Sequence, residues 1–248
     1  MKIAVIIPSR YGSTRFKGKP LAKIAGKAMI QRVYEAARKA ENVTDVVVAT
    51  DDARILDAVH SFGGRAMMTS AENRSGTDRA GDAAHQMGLA PEDIVINVQG
   101  DQPLLDSRCL DEVVSPFFSD PGLNMSTLAY KIVRPEEITN PKDVKVVFDS
   151  QGFALYFSRS AIPFGREPSA VFDTYKHLGV YAYTRSFLDI FRKLPEGKLE
   201  GIEKLEQLRA LEYGYKIKVI VTEYDSPEVD LPEDIARMES ILQNSYKP

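Results

Sequence analysis

The segment Ile3-Ala4-Val5-Ile6-Ile7 is a continuous apolar run, and it leads directly into the polar loop Pro8-Ser9-Arg10-Tyr11-Gly12-Ser13-Thr14-Arg15-Phe16-Lys17-Gly18-Lys19-Pro20. A short apolar run of this kind is typical of a strand covered on both faces of a sheet. Residues 28–40 follow with apolar side chains at helical spacing. The N-terminal region therefore predicts a strand, a functional loop and a helix.

The same alternation continues along the next 80 residues. Further strands are predicted at residues 46–49, 66–68 and 93–98, and helices at residues 55–62, 79–87 and 107–117. Regular alternation of strands and helices indicates a parallel sheet with helices on both faces. We therefore expect an α/β fold with a three-layer, doubly wound sheet.

The middle of the chain departs from this alternation. Strand-like segments at residues 124–133, 144–149, 153–158 and 177–183 are joined by short links, which favours antiparallel pairing and hence a mixed sheet. We expect one domain over residues 1–248, with an antiparallel insertion around 124–185 that serves as a lid or a subunit contact. The C-terminal part then returns to a helix at 203–213, a strand at 217–221 and a helix at 232–242.

Composition narrows the classes of function. The net charge is -3, from 32 basic and 35 acidic side chains, which argues against a nucleic-acid partner. The N-terminal apolar run is too short for a signal peptide or a membrane span. Cys109 is the single cysteine, and we interpret it as a buried thiol. These features predict a cytoplasmic protein with no membrane partner.

The loop at residues 8–20 follows the first strand and carries four basic side chains within ten residues: Arg10, Arg15, Lys17 and Lys19. Its glycines allow backbone N–H groups to approach an anion, and the basic side chains would neutralise the anion. The spacing fits neither a Walker loop nor a dinucleotide fingerprint. The loop is either a solvated basic loop or, as its place at a strand end favours, a triphosphate site.

Two carboxylates also follow predicted strands. Asp101 lies in Gln99-Gly100-Asp101, and Asp230 lies in Glu228-Val229-Asp230-Leu231-Pro232. Aspartate is common both as a Mg²⁺ ligand beside a phosphate and as a cap of a turn or helix. The spacing leaves both roles open for each of them.

Other candidates are dispersed. Residues 73–79 form either a helix N-cap with a polar first turn or a nucleotide contact. Arg159 follows a predicted strand, while His177 and Tyr181 lie four apart on one strand and therefore on one face. Glu206 and Gln207 lie on the predicted helix, whose Ile202, Leu205, Leu208 and Leu211 are expected in the core.

Taken together, these segments closely resemble the CMP-Kdo synthetases, which are 3-deoxy-D-manno-octulosonate (Kdo) cytidylyltransferases. The resemblance extends from Ile3 to about Leu242, with the motifs in order. It is carried by residues 9–21, Val48-Ala49-Thr50-Asp51-Asp52, Ser75-Gly76-Thr77-Asp78-Arg79, Gln99-Gly100-Asp101, Tyr156-Phe157-Ser158-Arg159, Leu205-Glu206-Gln207-Leu208-Arg209, and Val229-Asp230 with Pro232-Glu233-Asp234.

The resemblance implies a magnesium-dependent homodimer with the Rossmann-like nucleotidyltransferase fold, acting in bacterial lipopolysaccharide biosynthesis. Its substrates would be CTP and an eight-carbon sugar acid, giving CMP-Kdo and pyrophosphate. The catalytic residues would be Arg15, Lys19 and Asp101, and the Mg²⁺ ligands Asp101 and Asp230. The implied nucleotide-binding residues are Pro8, Ser9, Arg10, Arg15, Lys19, Ser75, Arg79 and Gln99. The implied sugar-binding residues are Arg10, Gln99, Arg159, His177, Tyr181, Glu206 and Gln207.

Two positions depart from the family pattern. Many relatives have Asp-His where this chain has Glu72-Asn73, and many have Gly-Asp-Glu-Pro where this chain has Gln102. Some relatives that are similar here act on the 8-amino form of the sugar. The alternatives to Kdo are therefore the 8-amino sugar, another acid such as a sialic acid, and a non-catalytic nucleotide-binding regulator.

Overall fold

The structure is a computed structural model that describes residues 1–12, 15–167 and 169–245. Ser13 and Thr14 of the basic loop lie outside the described residues. The strands are β1 (Ile3–Ser9), β2 (Lys23–Ile24), β3 (Lys27–Ala28), β4 (Asp45–Thr50), β5 (Ala66–Met68), β6 (Ile94–Asn97), β7 (Met125–Lys131), β8 (Lys145–Phe148), β9 (Ala154–Ser158), β10 (Tyr175–Thr184) and β11 (Lys218–Thr222). The helices are α1 (Met29–Ala37), α2 (Ala53–Ser61), α3 (Gly76–Gln86), α4 (Arg108–Val114), α5 (Glu136–Thr139), α6 (Arg185–Lys193), α7 (Lys198–Glu203), α8 (Leu208–Glu212) and α9 (Asp234–Ser245).

The main sheet is mixed, as the sequence predicts. Its path runs β11-β7-β10-β6-β1-β4-β5, and β8 and β9 extend it from β10. The strands from β6 to β5 are parallel, whereas β10 is antiparallel to both β6 and β7. The predicted antiparallel segments therefore continue the same sheet. No helix of the described residues has the length and apolarity that a membrane span requires.

Two apolar cores lie on opposite faces of the sheet. Along β1, Val5 and Ile7 pack into one core, while Ala4 and Ile6 pack into the other. Successive side chains of a strand point to opposite faces, so a strand that is apolar throughout needs cover on both sides. The α/β, three-layer prediction is confirmed. Cys109 is also buried as predicted, and this burial raises the pKa of its thiol to about 12.

The prediction of one helix over residues 203–213 is wrong. α7 ends at Glu203, the C-cap Lys204 has a left-handed φ of 53°, and α8 begins only at Leu208. A left-handed residue cannot continue a right-handed helix, so the chain turns there. Glu206 and Gln207 consequently lie in this turn, and Ile202 is 70% exposed and outside the core.

Two other helix predictions also need correction. α9 begins at Asp234, so Pro232 precedes the helix and does not lie in its first turn. α6 was not predicted, although Phe187, Leu188 and Phe191 have the helical spacing of a buried face. It begins at Arg185, directly after β10 ends at Thr184, with no loop residues between them to mark its start.

Candidate active site

The carboxyl ends of β1 and β6 meet at one edge of the sheet. The two strands are parallel neighbours, and the N–H of Val98 donates to the carbonyl of Ile6 at 3.1 Å. A Cβ on Gly100 would lie 2.8 Å from Ser9 Oγ and 3.4 Å from the carbonyl of Pro8. The basic loop and the Asp101 loop therefore approach each other at a distance that only glycine permits.

Lys19 joins the two candidate metal carboxylates. Its Nζ lies 2.6 Å from Asp101 Oδ2 and 4.0 Å from Asp230 Oδ1, and it donates to the carbonyl of Val229 at 2.9 Å. Arg15 Nη1 lies 3.0 Å from Asp230 Oδ2. The structure thus brings together side chains from three distant segments of the chain: Arg15 with Lys19, Asp101, and Asp230. A charged network at a strand-end loop is typical of a functional site in this class of fold.

The alternative helix-cap role of Asp230 is not supported. The carboxylate that accepts the N–H groups before α9 belongs to Asp234, which accepts from Asp230 at 2.9 Å and from Leu231 at 2.8 Å. The side chain of Asp230 instead faces Arg15 and Lys19. Its position favours the ligand-binding interpretation.

The two carboxylates fit a magnesium ion. Mg²⁺ prefers oxygen ligands and in phosphate sites takes one or two carboxylates, with water and phosphate oxygens completing its shell. Asp101 and Asp230 approach the same ammonium, and Asp101 Oδ1 is buried without a hydrogen-bond partner among the described residues. The described residues contain no group of three or more His, Cys, Asp or Glu side chains that could hold a metal ion.

Five buried side-chain atoms at or near this edge have no hydrogen-bond partner among the described residues. Each such atom costs about 1–3 kcal/mol unless a ligand or water satisfies it. Those near the strand ends and the turn before α8 are Ser9 Oγ, Asn97 Oδ1, Asp101 Oδ1, Gln102 Oε1 and Gln207 Nε2, all without a partner in the described part of the chain. Their clustering indicates a surface prepared for a polar ligand.

Ser75 has the N-cap role that its sequence left open, and its hydroxyl also contacts another predicted site residue. It caps α3 by accepting the N–H of Asp78 at 3.1 Å, and its hydroxyl donates to Glu206 Oε1 at 2.9 Å. Thr77 donates to Glu206 Oε2 at 2.8 Å, and burial raises the pKa of Glu206. Ser75 and Glu206 line a cavity of about 610 Å³ together with Arg10.

His177 and Tyr181 share a face, as the sequence predicts. Their ring centroids are 5.2 Å apart, although a bulge interrupts the pairing between Leu178 and Tyr181. His177 Nε2 is 2.9 Å from Thr127 Oγ1, and desolvation lowers the pKa of His177 to about 3. The imidazole is therefore neutral near pH 7 and can hydrogen-bond to a sugar carboxylate without adding positive charge.

The low pKa of His177 predicts a pH-dependent stability. Its ordinary pKa in the unfolded chain is about 6.5, so the unfolded state takes up the proton first as the pH falls. We expect the free energy of unfolding to decrease from about pH 6.5 toward pH 3, and this decrease to be shallower in His177→Gln. Urea denaturation at several pH values would measure it, with the exposed-site variant His60→Gln as control. Equal pH dependence in His177→Gln and the wild type would contradict the prediction.

Two of the four arginines predicted at the substrates, Arg79 and Arg159, bind partners within the protein. Arg79 is 1% exposed; it donates to Thr69 at 2.6 Å and to Asp51 at 2.9 Å. The guanidinium of Arg159 donates to the carbonyls of Glu203 and Pro141 at 2.7 and 2.9 Å. Arg79 is thus placed as a structural residue, and Arg159 holds the turn before Glu206 in position.

The structure adds Glu228 to the site and shows the partners of Thr77 and Gln102. Thr77 binds Glu206, and Gln102 donates to the carboxyl of Glu228 at 3.3 Å. Desolvation in a recess beside Asp101 and Asp230 raises the pKa of Glu228 to about 7. The position of Glu228, two residues before Asp230, was the available signal, but sequence alone does not show that its side chain turns toward the same recess.

A mixed α/β sheet, with a glycine-containing basic loop facing paired carboxylates at its carboxyl edge, defines a nucleotidyltransferase. The family model described as cytidylyltransferase matches residues 4–217. The chain belongs to this cytidylyltransferase family and is an enzyme of the nucleotidyltransferase class.

Two curated relatives and one solved structure match this chain over 98–99% of its length. A 3-deoxy-manno-octulosonate cytidylyltransferase of Desulfosudis oleivorans is 67% identical over 98% of each chain. An 8-amino-3,8-dideoxy-manno-octulosonate cytidylyltransferase of Shewanella piezotolerans is 58% identical over 98% of this chain and 99% of its own. A solved CMP:2-keto-3-deoxy-manno-octonic acid synthetase, complexed with CTP, is 40% identical with a TM-score of 0.92, covering 99% of this chain and all of its own.

Proposed function

We propose that this enzyme transfers CMP from CTP to Kdo, giving CMP-Kdo and pyrophosphate for bacterial lipopolysaccharide biosynthesis. The observation that carries the proposal is the Lys19 ammonium between Asp101 and Asp230, with Arg15 beside it, at the carboxyl edge of the sheet. The two carboxylates offer oxygen ligands for a divalent ion, and the two cationic side chains beside them offer positive charge for a triphosphate. The relative at 67% identity is named for this sugar.

The chain's own residues would act mainly by position and charge. The anomeric hydroxyl of the sugar would attack the α-phosphorus and form an O–P bond, while the bond from the α-phosphorus to the oxygen that bridges it to the β-phosphorus breaks. Pyrophosphate would leave with that bond's electron pair, and the hydroxyl proton would pass to solvent. Arg15 and Lys19 would stabilise the charge that develops on pyrophosphate. Bound by Asp101 and Asp230, Mg²⁺ would supply Lewis-acid polarisation of the phosphate.

The sugar would lie between β10 and the turn before α8. His177 and Tyr181 project from one face of β10. Glu206, in the turn before α8, accepts hydrogen bonds from Ser75 and Thr77 at the N-terminal end of α3. Gln99 lies close to Gly76 of α3 and Gly179 of β10, which places it between the two groups. His177, Tyr181 and Gln99 would provide neutral hydrogen-bonding groups for the sugar hydroxyls, and Glu206 would accept hydrogen bonds from them. Arg10 would supply positive charge at the cavity.

We further propose a homodimer that works in the cytoplasm. Exposed apolar side chains follow β9: Phe164 is 87% exposed, Val171 is fully exposed, and Phe172 is 45% exposed. The ring of Phe172 lies against Gly165, so these side chains share one surface. Burial of such a surface by a second subunit would stabilise the dimer, and light scattering of the purified protein would measure its mass.

The proposed activity is tested by pyrophosphate release. The purified protein would be mixed with CTP and Mg²⁺ and, in separate reactions, with Kdo, the 8-amino sugar and a sialic acid. Turnover with Kdo supports the proposal, and turnover only with another acid assigns that sugar instead. Binding of CTP without turnover of any acid would contradict the enzyme and favour the non-catalytic regulator.

The 8-amino sugar is the second candidate substrate. Several Shewanella relatives named for it are 56–58% identical over 98% of this chain. The same cytidylyl transfer would occur, because the anomeric hydroxyl is common to both sugars.

A further inference from the structure

The two aspartates that end the segment Val48-Ala49-Thr50-Asp51-Asp52 each bind one arginine. Asp51 accepts a hydrogen bond from the buried Arg79 at 2.9 Å. Asp52 binds Arg54 with both carboxylate oxygens, at 2.8 Å from Nε and 2.6 Å from Nη2. A bidentate pair of this kind fixes the orientation of the guanidinium plane. Neither Asp52 nor Arg54 takes part in the proposed chemistry.

The position of Arg54 in α2 is not explained by the stability of the helix. Asp52 is the N-cap of α2, and its side chain accepts the N–H of Arg54 at 3.0 Å, so Arg54 lies in the first helical turn. The helix dipole is positive at this end and disfavours a cation there. The guanidinium instead lies 3.4 Å from the ring centroid of Tyr11, a distance at which the ring attracts it. This contact attaches α2 to the basic loop.

Tyr11 also contacts the far end of the basic loop. Its carbonyl accepts the N–H of Gly18 at 2.9 Å, which closes the loop over residues 11–18. Gly18 has a left-handed φ of 74°, and a Cβ on it would lie 3.2 Å from two ring carbons of Tyr11. Both the backbone and the approach of the ring therefore favour glycine at this position. The ring of Tyr11 thus fixes the residue that directly precedes Lys19.

The two cations expected at the triphosphate depend on this loop. Gly18 is the N-cap of a single turn of 3-10 helix, Lys19–Leu21, and the ammonium of Lys19 lies 2.6 Å from Asp101. Arg15 lies within the closed loop itself. A continuous path of contacts therefore leads from α2 to the triphosphate site, through Asp52, Arg54, Tyr11, Gly18 and Lys19.

We propose that Arg54 is a positioning residue, which stacks on Tyr11 and so holds the basic loop in the conformation that receives the triphosphate of CTP. This inference rests on the proposed function, because it gives the triphosphate loop a support outside the substrate site. Arg54 does not bind the triphosphate itself, since its Nε and Nη2 are engaged by Asp52. Without the stack, fewer molecules have the loop in the competent conformation, and the apparent affinity for CTP falls by that fraction.

Calorimetric titration of the complete protein with CTP and Mg²⁺ tests this role without any sugar. Arg54→Met keeps an unbranched side chain and removes the charge. We expect it to raise the Kd for CTP by about two- to fivefold, the range of one cation–π contact at an exposed site. Arg54→Lys should recover part of the loss, because lysine keeps the charge but not the planar face. Tyr11→Phe keeps the ring and should bind CTP as the wild type does.

Arg108 provides a matched control. It forms the same bidentate pair with Asp106, at 2.9 and 2.7 Å, and its guanidinium lies 3.9 Å from the ring centroid of Tyr224. The side chains of Arg54 and Arg108 are similarly exposed, at 58% and 63%. Tyr224 lies outside the basic loop, so Arg108→Met removes an equivalent contact and should leave the Kd for CTP unchanged.

A double-mutant cycle separates positioning from direct contact with CTP. In the Tyr11→Leu background, Arg54→Met should not raise the Kd further, because the contact is already lost. Additive losses in the double variant, an equal rise of Kd in Arg108→Met, or an unchanged Kd in Arg54→Met at any Tm would each overturn the inference. If the wild type binds CTP, these three outcomes leave the proposed function intact. A wild type that does not bind CTP would overturn both.

Discussion

Replacement of Asp101 by asparagine is expected to lower kcat by about a thousandfold while the protein remains folded. Asn has nearly the same shape but no charge, so it loses both the ion pair with Lys19 at 2.6 Å and the proposed bond to Mg²⁺. Electrostatic stabilisation of a transition state contributes several kcal/mol, and each 1.4 kcal/mol corresponds to about tenfold in rate. Pyrophosphate release at saturating CTP and sugar measures the loss.

The control must separate metal binding from general loss of charge. Asp57→Asn removes an exposed carboxylate from α2 and is expected to have normal turnover. For Asp101→Asn, the Mg²⁺ concentration at half-maximal rate should also rise, since one of two protein ligands is missing. Near-normal turnover of Asp101→Asn at ordinary Mg²⁺ would refute the assignment of Asp101 as a metal ligand.

The sequence predicts well which polar residues lie at the carboxyl ends of the strands, because each strand and the loop that follows it are adjacent in the sequence. The apolar run at residues 3–7 requires cover on both faces, and the structure supplies two cores. Each polar loop at the end of a parallel strand then points to the same edge. Arg15, Lys19, Asp101 and Asp230 could therefore be predicted as neighbours, with the resemblance to CMP-Kdo synthetases adding their roles.

The features that the sequence could not predict depend on side-chain contacts between residues that are far apart in the chain. The turn at Lys204 places Glu206 against Ser75 and Thr77, and no periodicity of residues 203–213 indicates it. The hydrogen bond between Gln102 and Glu228 joins residues 126 positions apart. A motif reports which residue types are present, but whether a charge faces substrate or protein is decided by packing.

Arg79 shows most clearly that packing decides what a charged side chain contacts. The resemblance implies that it lies beside the nucleotide. In the structure its guanidinium is buried and binds Asp51 and Thr69. Removing one partner of a buried ion pair costs about 3–5 kcal/mol when the other charge is left buried. Asp51 is partly exposed and can recover some hydration, which favours the lower end of this range.

We therefore expect Arg79→Met to lower the free energy of unfolding by about 3 kcal/mol, which corresponds to roughly 6–12 °C in Tm for a chain of this size. Arg79→Lys should lose less, because lysine keeps the charge but not the forked geometry that reaches both partners. Thermal unfolding measures these losses, with exposed Arg38→Met as control. At temperatures where the variant is folded, its KM for CTP should equal that of the wild type. A raised KM with unchanged Tm would instead place Arg79 at the nucleotide, since a guanidinium that is bound inside the fold cannot be removed without loss of stability.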